Sequence, residues 1–322
     1  MVHMWEEAPR ITIFGTEVYQ FGMYCMIGAV CAVLAMLILC RHEKLKSGTG
    51  SLLSLLSVLF GLLFSRMFYS ILFLISNAGF PLSAWPQITT GGWSLFGMVF
   101  GVFAASWLTA KIMGIKAAVT ADIVSCGLPL LIAAARYGEK LFEGFDVSRP
   151  LTEKAFPSGT FLAVRDLYYE DTSYLATWLL AAVLAIVLFL VLVLSLVREG
   201  RRDGDMQILF LLLCGAGGIL LESLRYDHFL EFSFVRFEQV MAALLLAWGV
   251  FSAAARNRAA KPLRASAFVS IPMVVGAVIG IEFALDRSAV SHYLLYAIMA
   301  ILLAVPVTLS ILLLAKREKE TA

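Results

Sequence analysis

The apolar positions of this 322-residue chain fall into long runs that are separated by short polar stretches. The runs approach twenty residues and do not alternate with polar positions, a pattern typical of membrane-spanning α-helices and not of β-barrel strands. The runs predict nine spans, at about 18–40, 51–76, 92–113, 117–135, 174–197, 206–222, 235–254, 266–284 and 290–315. We therefore expect an all-α polytopic membrane protein.

Positive charge is concentrated in alternate connections between these spans. Lys and Arg follow spans one, three, five, seven and nine, whereas the loop at 77–91 carries no charge. Short cytoplasmic loops are enriched in Lys and Arg, so these five segments should face the cytoplasm. We expect the N-terminus outside and the C-terminus in the cytoplasm. The basic residues are Arg41, Lys44, Lys46, Lys111, Lys116, Arg198, Arg201, Arg202, Arg256, Arg258, Lys261, Arg264, Lys316, Arg317 and Lys319.

The longest connection, 136–173, belongs to the outer side. It mixes charges of both signs with Gly, Pro and aromatic residues. Loops of this length in compact proteins are usually functional or disordered, and the aromatic content favours function. We expect a folded extracytoplasmic cap here, called the outer cap below.

Composition narrows the class further. The chain is 61% hydrophobic and 15% charged, which suits a helical membrane protein, and its net charge of +2 gives no reason to expect nucleic acid. Five cysteines lie scattered in apolar runs, without metal or disulfide spacing, and are interpreted as small core residues. No cofactor or metal is expected. The N-terminus lacks a basic segment with a cleavage site, so we expect no cleaved signal peptide.

Four polar features interrupt the apolar runs. Arg66 lies inside span two, where it either snorkels to the interface or requires a partner or ligand. The glycines of 91–101 favour close helix packing, although a Gly-Gly pair at a helix start can also bind an anion. Glu222 and Arg225 share a helix face, either as a surface ion pair or as part of a functional cluster with His228. Asp122 is interpreted as a helix cap.

The end of span four is the densest polar stretch. Arg136 is followed closely by Gly138, Glu139, Glu143 and Gly144. A helix in lipid often places a charge at the water boundary, but two glycines and two acids beside this arginine favour a polar pocket at the outer membrane surface.

Several stretches between residues 9 and 254, taken in order, resemble the prolipoprotein diacylglyceryl transferases of bacterial inner membranes. The segment 20–24 (Gln-Phe-Gly-Met-Tyr) resembles the family's Trp-Tyr-Gly entry to its first helix, and Ser65-Arg66-Met-Phe-Tyr69 resembles Gly-Arg-x-x-Tyr. The segment 91–97 matches Gly-Gly-Met-Ser-Phe-His-Gly with Phe96 in place of histidine.

The second half of the resemblance covers spans four to seven. Asp122, Pro129 and Arg136-x-Gly138 follow the family's Asp-Ile, Ile-Pro and Gly-Arg-x-Gly-Asn-Phe. Leu209-Phe210, Glu222-x-x-Arg225 and Asp227 follow its Leu-Phe, Arg-x-x-x-Glu-x-x-Arg and Asp, and Gln239 fits the glutamine opening its last helix. The departures are Glu139 for asparagine, Gly144 for glutamate with Glu143 one place early, and Gly218 for the first arginine.

The resemblance implies a fold, an activity and partners. The family has seven helices, so we expect a transferase-like membrane domain at 1–255 and, at 256–322, two additional helices with a basic tail. Family members move diacylglycerol from phosphatidylglycerol onto the lipobox cysteine of a prolipoprotein, as a thioether, with release of glycerol phosphate. The expected partners are therefore phosphatidylglycerol, a prolipoprotein lipobox segment and membrane lipids, in a bacterial inner membrane, with the acceptor left open.

Two alternative functions are kept open. Phe96 and Gly218, at the family's histidine and arginine positions, favour a non-catalytic lipid-binding paralogue or scaffold. A small-molecule transporter is less favoured, because such proteins tend to have internal repeats and none is visible.

The family's reaction indicates which residues to examine. A thiol with a pKa of about 8.5 is mostly protonated at neutral pH, so a base favours its attack. The leaving glycerol phosphate needs positive charge. The candidate catalytic residues are Arg136, for phosphate, and Glu139, Glu143 and His228, as replacements for the histidine. The candidate substrate-binding residues are Arg66, Gly91, Gly92, Ser94, Gly97, Gly138, Glu222 and Arg225.

Overall fold

The computed structural model describes residues 10–13, 16–75, 92–141, 148–149, 151, 156–157, 159–165, 173–198, 201–225, 231–232, 235–257 and 260–315. Within these residues, nine helices are long and apolar enough to cross a membrane, which confirms the all-α polytopic class. They are α1 (Gln20–His42), α2 (Thr49–Ile75), α3 (Leu95–Met113), α4 (Ala117–Gly138), α5 (Thr177–Leu196), α6 (Asp205–Leu224), α7 (Phe237–Arg256), α8 (Lys261–Arg287) and α9 (His292–Ala315).

In the described part of the chain, three short antiparallel hairpins accompany the helices. The pairs are β1 (Arg10–Ile13) with β2 (Thr16–Tyr19), β3 (Ala163–Arg165) with β4 (Ser173–Leu175), and β5 (Glu231–Phe232) with β6 (Val235–Arg236). Each hairpin precedes a helix whose start is expected on the outer side, namely α1, α5 and α7. The hairpins thus lie where the charge pattern predicts the outer face.

The chain divides into two compact units. The first comprises Met1–Asp146 with Trp178–Met206, and the second comprises Val147–Thr177 with Gln207–Ala322. The first unit therefore contains α1–α5 almost entirely, and the second contains α6–α9. The division at residue 255 into a transferase-like domain and an addition stays a prediction.

Close helix packing in the first unit depends on small residues. A Cβ on Gly97 would lie 2.6 Å from the carbonyl oxygen of Phe64, and one on Gly28 would lie 2.6 Å from Cβ of Ala134. The first pair brings α3 against α2, and the second brings α1 against α4. Small residues let helix backbones approach in lipid, so the packing interpretation of Gly97 accounts for what the structure shows.

Asp122 does not cap α4, which corrects the sequence interpretation. The helix begins at Ala117 after Lys116, which leaves the carboxylate more than a turn inside the helix, where it is 1% exposed. It accepts a hydrogen bond of 2.6 Å from the Gly204 amide and lies 3.6 Å from Nη1 of Arg201. The carboxylate binds a distant loop because burial without partners would be costly.

The connections that carry positive charge in the first unit lie at one end of it. Lys46 donates to the Met113 carbonyl at 2.8 Å, and Arg201 forms an ion pair with Glu43 at 2.5 Å. These contacts join the α1–α2, α3–α4 and α5–α6 connections, as the charge pattern requires. The assignment of this end to the cytoplasm stays a prediction.

The outer cap is described only in part. Ser148 and Arg149 pair with the end of α6, where the Arg149 amide donates to the Leu224 carbonyl at 2.9 Å. The hairpin of β3 and β4 follows, and the Leu175 amide donates to the Ser148 hydroxyl at 3.2 Å. A folded outer cap over the whole of 136–173 stays a prediction.

Candidate functional site

A cavity of about 550 Å³ lies among α1, α2, α3 and α4 in the first unit. Apolar side chains dominate its lining, and its polar members are Glu17, Tyr19, Cys25, Ser57, Ser65 and Trp93. A volume of this size is typical of ligand sites, and an apolar wall at membrane depth suits hydrocarbon. The cavity can therefore take an acyl chain.

Arg66 lies beside this cavity and does not snorkel to the surface. It is 4% exposed, and its Nη1 donates to the Gly92 carbonyl at 2.9 Å. Its guanidinium carbon lies 5.5 Å from the ring centre of Trp93, which lines the cavity. Buried arginines in membrane helices are expensive and functional candidates, and here a carbonyl and an aromatic face offset part of the cost.

Gly92 holds the turn that makes the Arg66 contact possible. Its φ of +80° lies in the left-handed region, which glycine adopts without strain. A side chain would overlap the Tyr69 ring, and its Cβ would lie 2.8 Å from Nη1 of Arg66. Glycine is therefore required at this position on two independent grounds.

Ser94 caps α3 instead of leaving its amides open to an anion. Its hydroxyl accepts from the Gly97 amide at 3.2 Å, while its carbonyl accepts from Ser65 at 2.8 Å. These bonds fix the start of α3 on α2 and occupy the amide of Gly97. Gly91, the first glycine of the pair, lies outside the described residues.

The C-terminal end of α4 carries an ion pair. Nη1 of Arg136 lies 2.9 Å from Oε1 of Glu139, one helical turn away, and both side chains are largely buried. Gly138 lets α1 approach, because a Cβ there would lie 2.9 Å from the Phe21 ring. Sequence reasoning had chosen these three residues, and the structure brings them together beside α1. Glu143 lies outside the described residues.

Lys140 completes this end of α4 and was missed by sequence reasoning. Its ammonium lies 4.1 Å from the ring centre of Tyr137, 5.3 Å from Tyr24 and 5.9 Å from Trp178. The rings also contact one another, with centres 5.4 Å apart for Tyr24 and Tyr137 and 5.2 Å apart for Tyr137 and Trp178. We call Lys140 and these three rings the lysine cage.

The second unit holds a buried pair that sequence reasoning identified. Nη1 of Arg225 lies 3.1 Å and 3.3 Å from the two carboxylate oxygens of Glu222, and Glu222 is 1% exposed. This pair is an interior feature and not a surface ion pair. His228, proposed beside it as a base, lies outside the described residues.

Arg236 adds a third charge to this cluster that the sequence pattern did not reveal. It is completely buried and donates through Nη1 to the Glu222 carbonyl, and its Nε and Nη2 find no acceptor among the described residues. Burial lowers the pKa of Arg236, and the neighbouring charge of Arg149 lowers it further. Unsatisfied buried donors of this kind suit an acceptor from a ligand or from water.

The eighth helix contributes directly to the same cluster. Glu282 on α8 accepts from Nε2 of Gln239 at 2.6 Å and lies 3.5 Å from Nη1 of Arg149, which also lies 3.3 Å from Asp286. Tyr296 on α9 donates to the Ser223 carbonyl at 2.9 Å. Helices α8 and α9 thus hold residues of α6 and α7 in place. Only their spatial proximity reveals these pairs, because the partners lie 43 or more residues apart in the chain.

Phe96 and Gly218 occupy positions where the resembling family has histidine and arginine. Phe96 is 8% exposed at the start of α3. A Cβ on Gly218 would lie 3.0 Å from Cβ of Ala242 on α7, so the α6–α7 contact is close there. Neither position holds a group that exchanges protons or binds phosphate.

Comparison with known proteins gives one family. A family model described as prolipoprotein diacylglyceryl transferase matches residues 9–283, which include most of α8. The phosphatidylglycerol–prolipoprotein diacylglyceryl transferases of Thermotoga petrophila and Thermotoga maritima are each 26% identical over 200 residues, covering 60% of this chain and 65% of the relative. That of Staphylococcus haemolyticus is 26% identical over 198 residues, covering 60% and 68%. The chain therefore spans about two thirds of the length of the curated relatives it matches. The resemblance drawn from the motifs is confirmed, and the chain belongs to the prolipoprotein diacylglyceryl transferase family.

Proposed function

We propose that the protein transfers a diacylglyceryl group from phosphatidylglycerol to the cysteine thiol of a prolipoprotein. The observation that carries the proposal is the apolar cavity of about 550 Å³ in the same unit as the buried cations Arg66 and Arg136. The hydrocarbon of the donor lipid requires an apolar cavity, and a phosphate leaving group requires a cation. The relatives' names give the same donor and acceptor.

The reaction is balanced within donor and acceptor. The cysteine sulfur attacks the glyceryl carbon that bears the phosphate oxygen, a carbon–sulfur bond forms, and the carbon–oxygen bond breaks. Glycerol phosphate leaves with the electron pair, and the thiol proton passes to a base. Arg136 is assigned to the phosphate of the departing group, where a cation stabilises the charge that develops.

The proposed base is one of Glu139, Glu143 and His228. Glu139 is the described member of this set, and its carboxylate is engaged by Arg136 at 2.9 Å. A carboxylate in such a pair serves first to orient the guanidinium. The three residues therefore have to be tested together.

A second function is favoured by one observation. Phe96 is buried at the family's histidine position, and a fold that binds lipid without transferring it would tolerate that replacement. A lipid-binding paralogue or scaffold would retain the cavity and Arg136 but would not release glycerol phosphate.

We also propose that the protein resides in a bacterial inner membrane, with its N-terminus outside and its C-terminus in the cytoplasm.

The test uses purified protein in vesicles that contain phosphatidylglycerol, together with a lipobox peptide. Release of glycerol phosphate and the peptide's mass are followed for the wild type and for Arg136→Ala. Arg198→Ala, which removes an exposed arginine of the same unit, is the matched control. Transfer by the wild type and by Arg198→Ala but not by Arg136→Ala supports the enzyme. Saturable lipid binding without transfer supports the paralogue.

A further inference from the structure

The lysine cage holds a cation whose partners among the described residues are aromatic rings. The Lys140 ammonium contacts the rings of Tyr24, Tyr137 and Trp178. Among the described residues, no carboxylate forms an ion pair with it, whereas the neighbouring Glu139 is paired with Arg136. The aromatic faces orient the ammonium while leaving its positive charge in place.

A second donor in the cage also lacks an acceptor. The indole N–H of Trp178 is buried and has no hydrogen-bond partner among the described residues. A buried donor without an acceptor is costly, so an acceptor supplied by a bound ligand suits this indole N–H. An oxygen-rich anion satisfies both groups.

The lysine cage borders the apolar cavity. Tyr24 lies on α1 between Phe21 and Cys25, which line the cavity, and Phe21 also contacts Gly138 at the end of α4. An apolar cavity beside α1 and a cation that has no carboxylate partner among the described residues match the two parts of a phospholipid. An ammonium headgroup does not fit here, because Lys140 already fills the space between the rings and repels a second cation.

We propose that Lys140 selects the headgroup of the bound lipid, by binding the phosphate of anionic glycerophospholipids and disfavouring those with an ammonium headgroup. The inference rests on the proposed function only in taking a glycerophospholipid as the ligand of the cavity. Lys140 is a specificity residue for binding, so it is tested without any acceptor peptide.

The experiment measures how the purified full-length protein distributes between phosphatidylglycerol and phosphatidylethanolamine of equal chain length, by native mass spectrometry. The wild type should prefer phosphatidylglycerol. Lys140→Met should reduce that preference by about tenfold, and Lys140→Arg should stay within about threefold of the wild type. Lys111→Met is the matched control, because Lys111 lies outside the lysine cage but its ammonium also contacts an aromatic ring, 5.0 Å from the ring centre of Trp107. It should leave the preference unchanged.

Three outcomes would overturn the proposal. They are a wild type without headgroup preference, an unchanged preference in Lys140→Met, and an equal loss in Lys111→Met. Retention of the wild-type melting temperature by Lys140→Met ensures that a lost preference is not a folding defect. A protein that keeps the Lys140-dependent preference but transfers nothing would refute the transferase and leave this proposal standing.

A soluble competitor separates the headgroup from the whole lipid. Glycerol phosphate, but not glycerol, should displace phosphatidylglycerol from the wild type, and Lys140→Met should require about tenfold more of it. Equal displacement from both proteins would contradict an assignment of Lys140 to the phosphate.

Discussion

The guanidinium of Arg136 lies 2.9 Å from the carboxylate of Glu139, one turn further along the C-terminal end of α4. The arginine matches a motif of the prolipoprotein diacylglyceryl transferases, and the glutamate stands where their motif has asparagine. Replacing a neutral amide by an acid places a competing anion beside the cation assigned to phosphate. If Arg136 binds the phosphate as proposed, the pair sets how strongly it attracts the donor lipid.

Replacing the two partners should have opposite effects, a loss of transfer for Arg136 and a gain in lipid binding for Glu139. Arg136→Ala should lower the rate of transfer by about 100-fold, as expected when a preorganised charge is removed from a reacting group. Glu139→Gln keeps an oxygen acceptor for Arg136 and removes the negative charge, so phosphatidylglycerol should bind about threefold more tightly. Native mass spectrometry measures the binding. Weaker binding by Glu139→Gln would show that the acid itself helps to hold the lipid.

The base is expected among Glu139, Glu143 and His228. Replacing all three by glutamine should abolish transfer, because the thiol then loses every proposed proton acceptor, while phosphatidylglycerol remains bound. Each single variant, measured beside the triple variant, then identifies the residue responsible. Full activity of the triple variant would remove all three from the mechanism.

Filling the cavity should block the lipid without unfolding the protein. Ala29 lines the cavity from α1, and Ala29→Trp places an indole in the proposed acyl site. We expect phosphatidylglycerol affinity to fall by about tenfold, the equivalent of about 1.4 kcal/mol. Val30→Trp is the control, because Val30 is exposed on the same helix. Equal affinities for the two variants would place the acyl chain elsewhere.

Gly92 should tolerate no side chain. Gly92→Ala combines a left-handed backbone with a collision at Tyr69 and Arg66, so the free energy of unfolding should fall by about 1–3 kcal/mol. Thermal unfolding in detergent measures the effect. Gly276→Ala is the control, because a Cβ there meets nothing within 4 Å. A loss in Gly276→Ala as large as that in Gly92→Ala would show that the strain argument is wrong.

Glu282 should stabilise the second unit. Glu282→Ala leaves Gln239 and Arg149 without their buried partner, so the free energy of unfolding should fall by about 3 kcal/mol. Asp286 forms an ion pair with the same Arg149, but its side chain is 44% exposed. Asp286→Asn should therefore lower the free energy of unfolding by less than about 1 kcal/mol. Chemical denaturation in detergent compares the two. Equal losses would mean that burial of Glu282 does not determine its contribution.

The membrane spans could be predicted because each is encoded locally. A run of about twenty apolar residues suffices to indicate a helix in lipid, and alternating positive connections indicate which ends lie together. The contacts of Lys46 with Met113 and of Arg201 with Glu43 join connections that the charge pattern had already grouped. Motif order was likewise enough to identify the family.

The chemistry between distant segments could not be predicted in the same way. Asp122 was interpreted as a cap because its partners, near residues 201–204, lie about 80 residues away. The lysine cage joins Tyr24, Tyr137 and Trp178, which share no periodicity. The sequence around Gln239 does not indicate its partner on α8, Glu282. Such pairs follow from helix packing, which a single sequence does not specify.

The mass of a lipobox peptide after incubation with the protein in phosphatidylglycerol vesicles tests the proposed transferase most directly. We expect a thioether-linked diacylglyceryl group on the cysteine, one glycerol phosphate released for each peptide modified, and no reaction of a peptide with serine at that position. An unchanged peptide mass, from protein that binds phosphatidylglycerol saturably, would contradict the transferase.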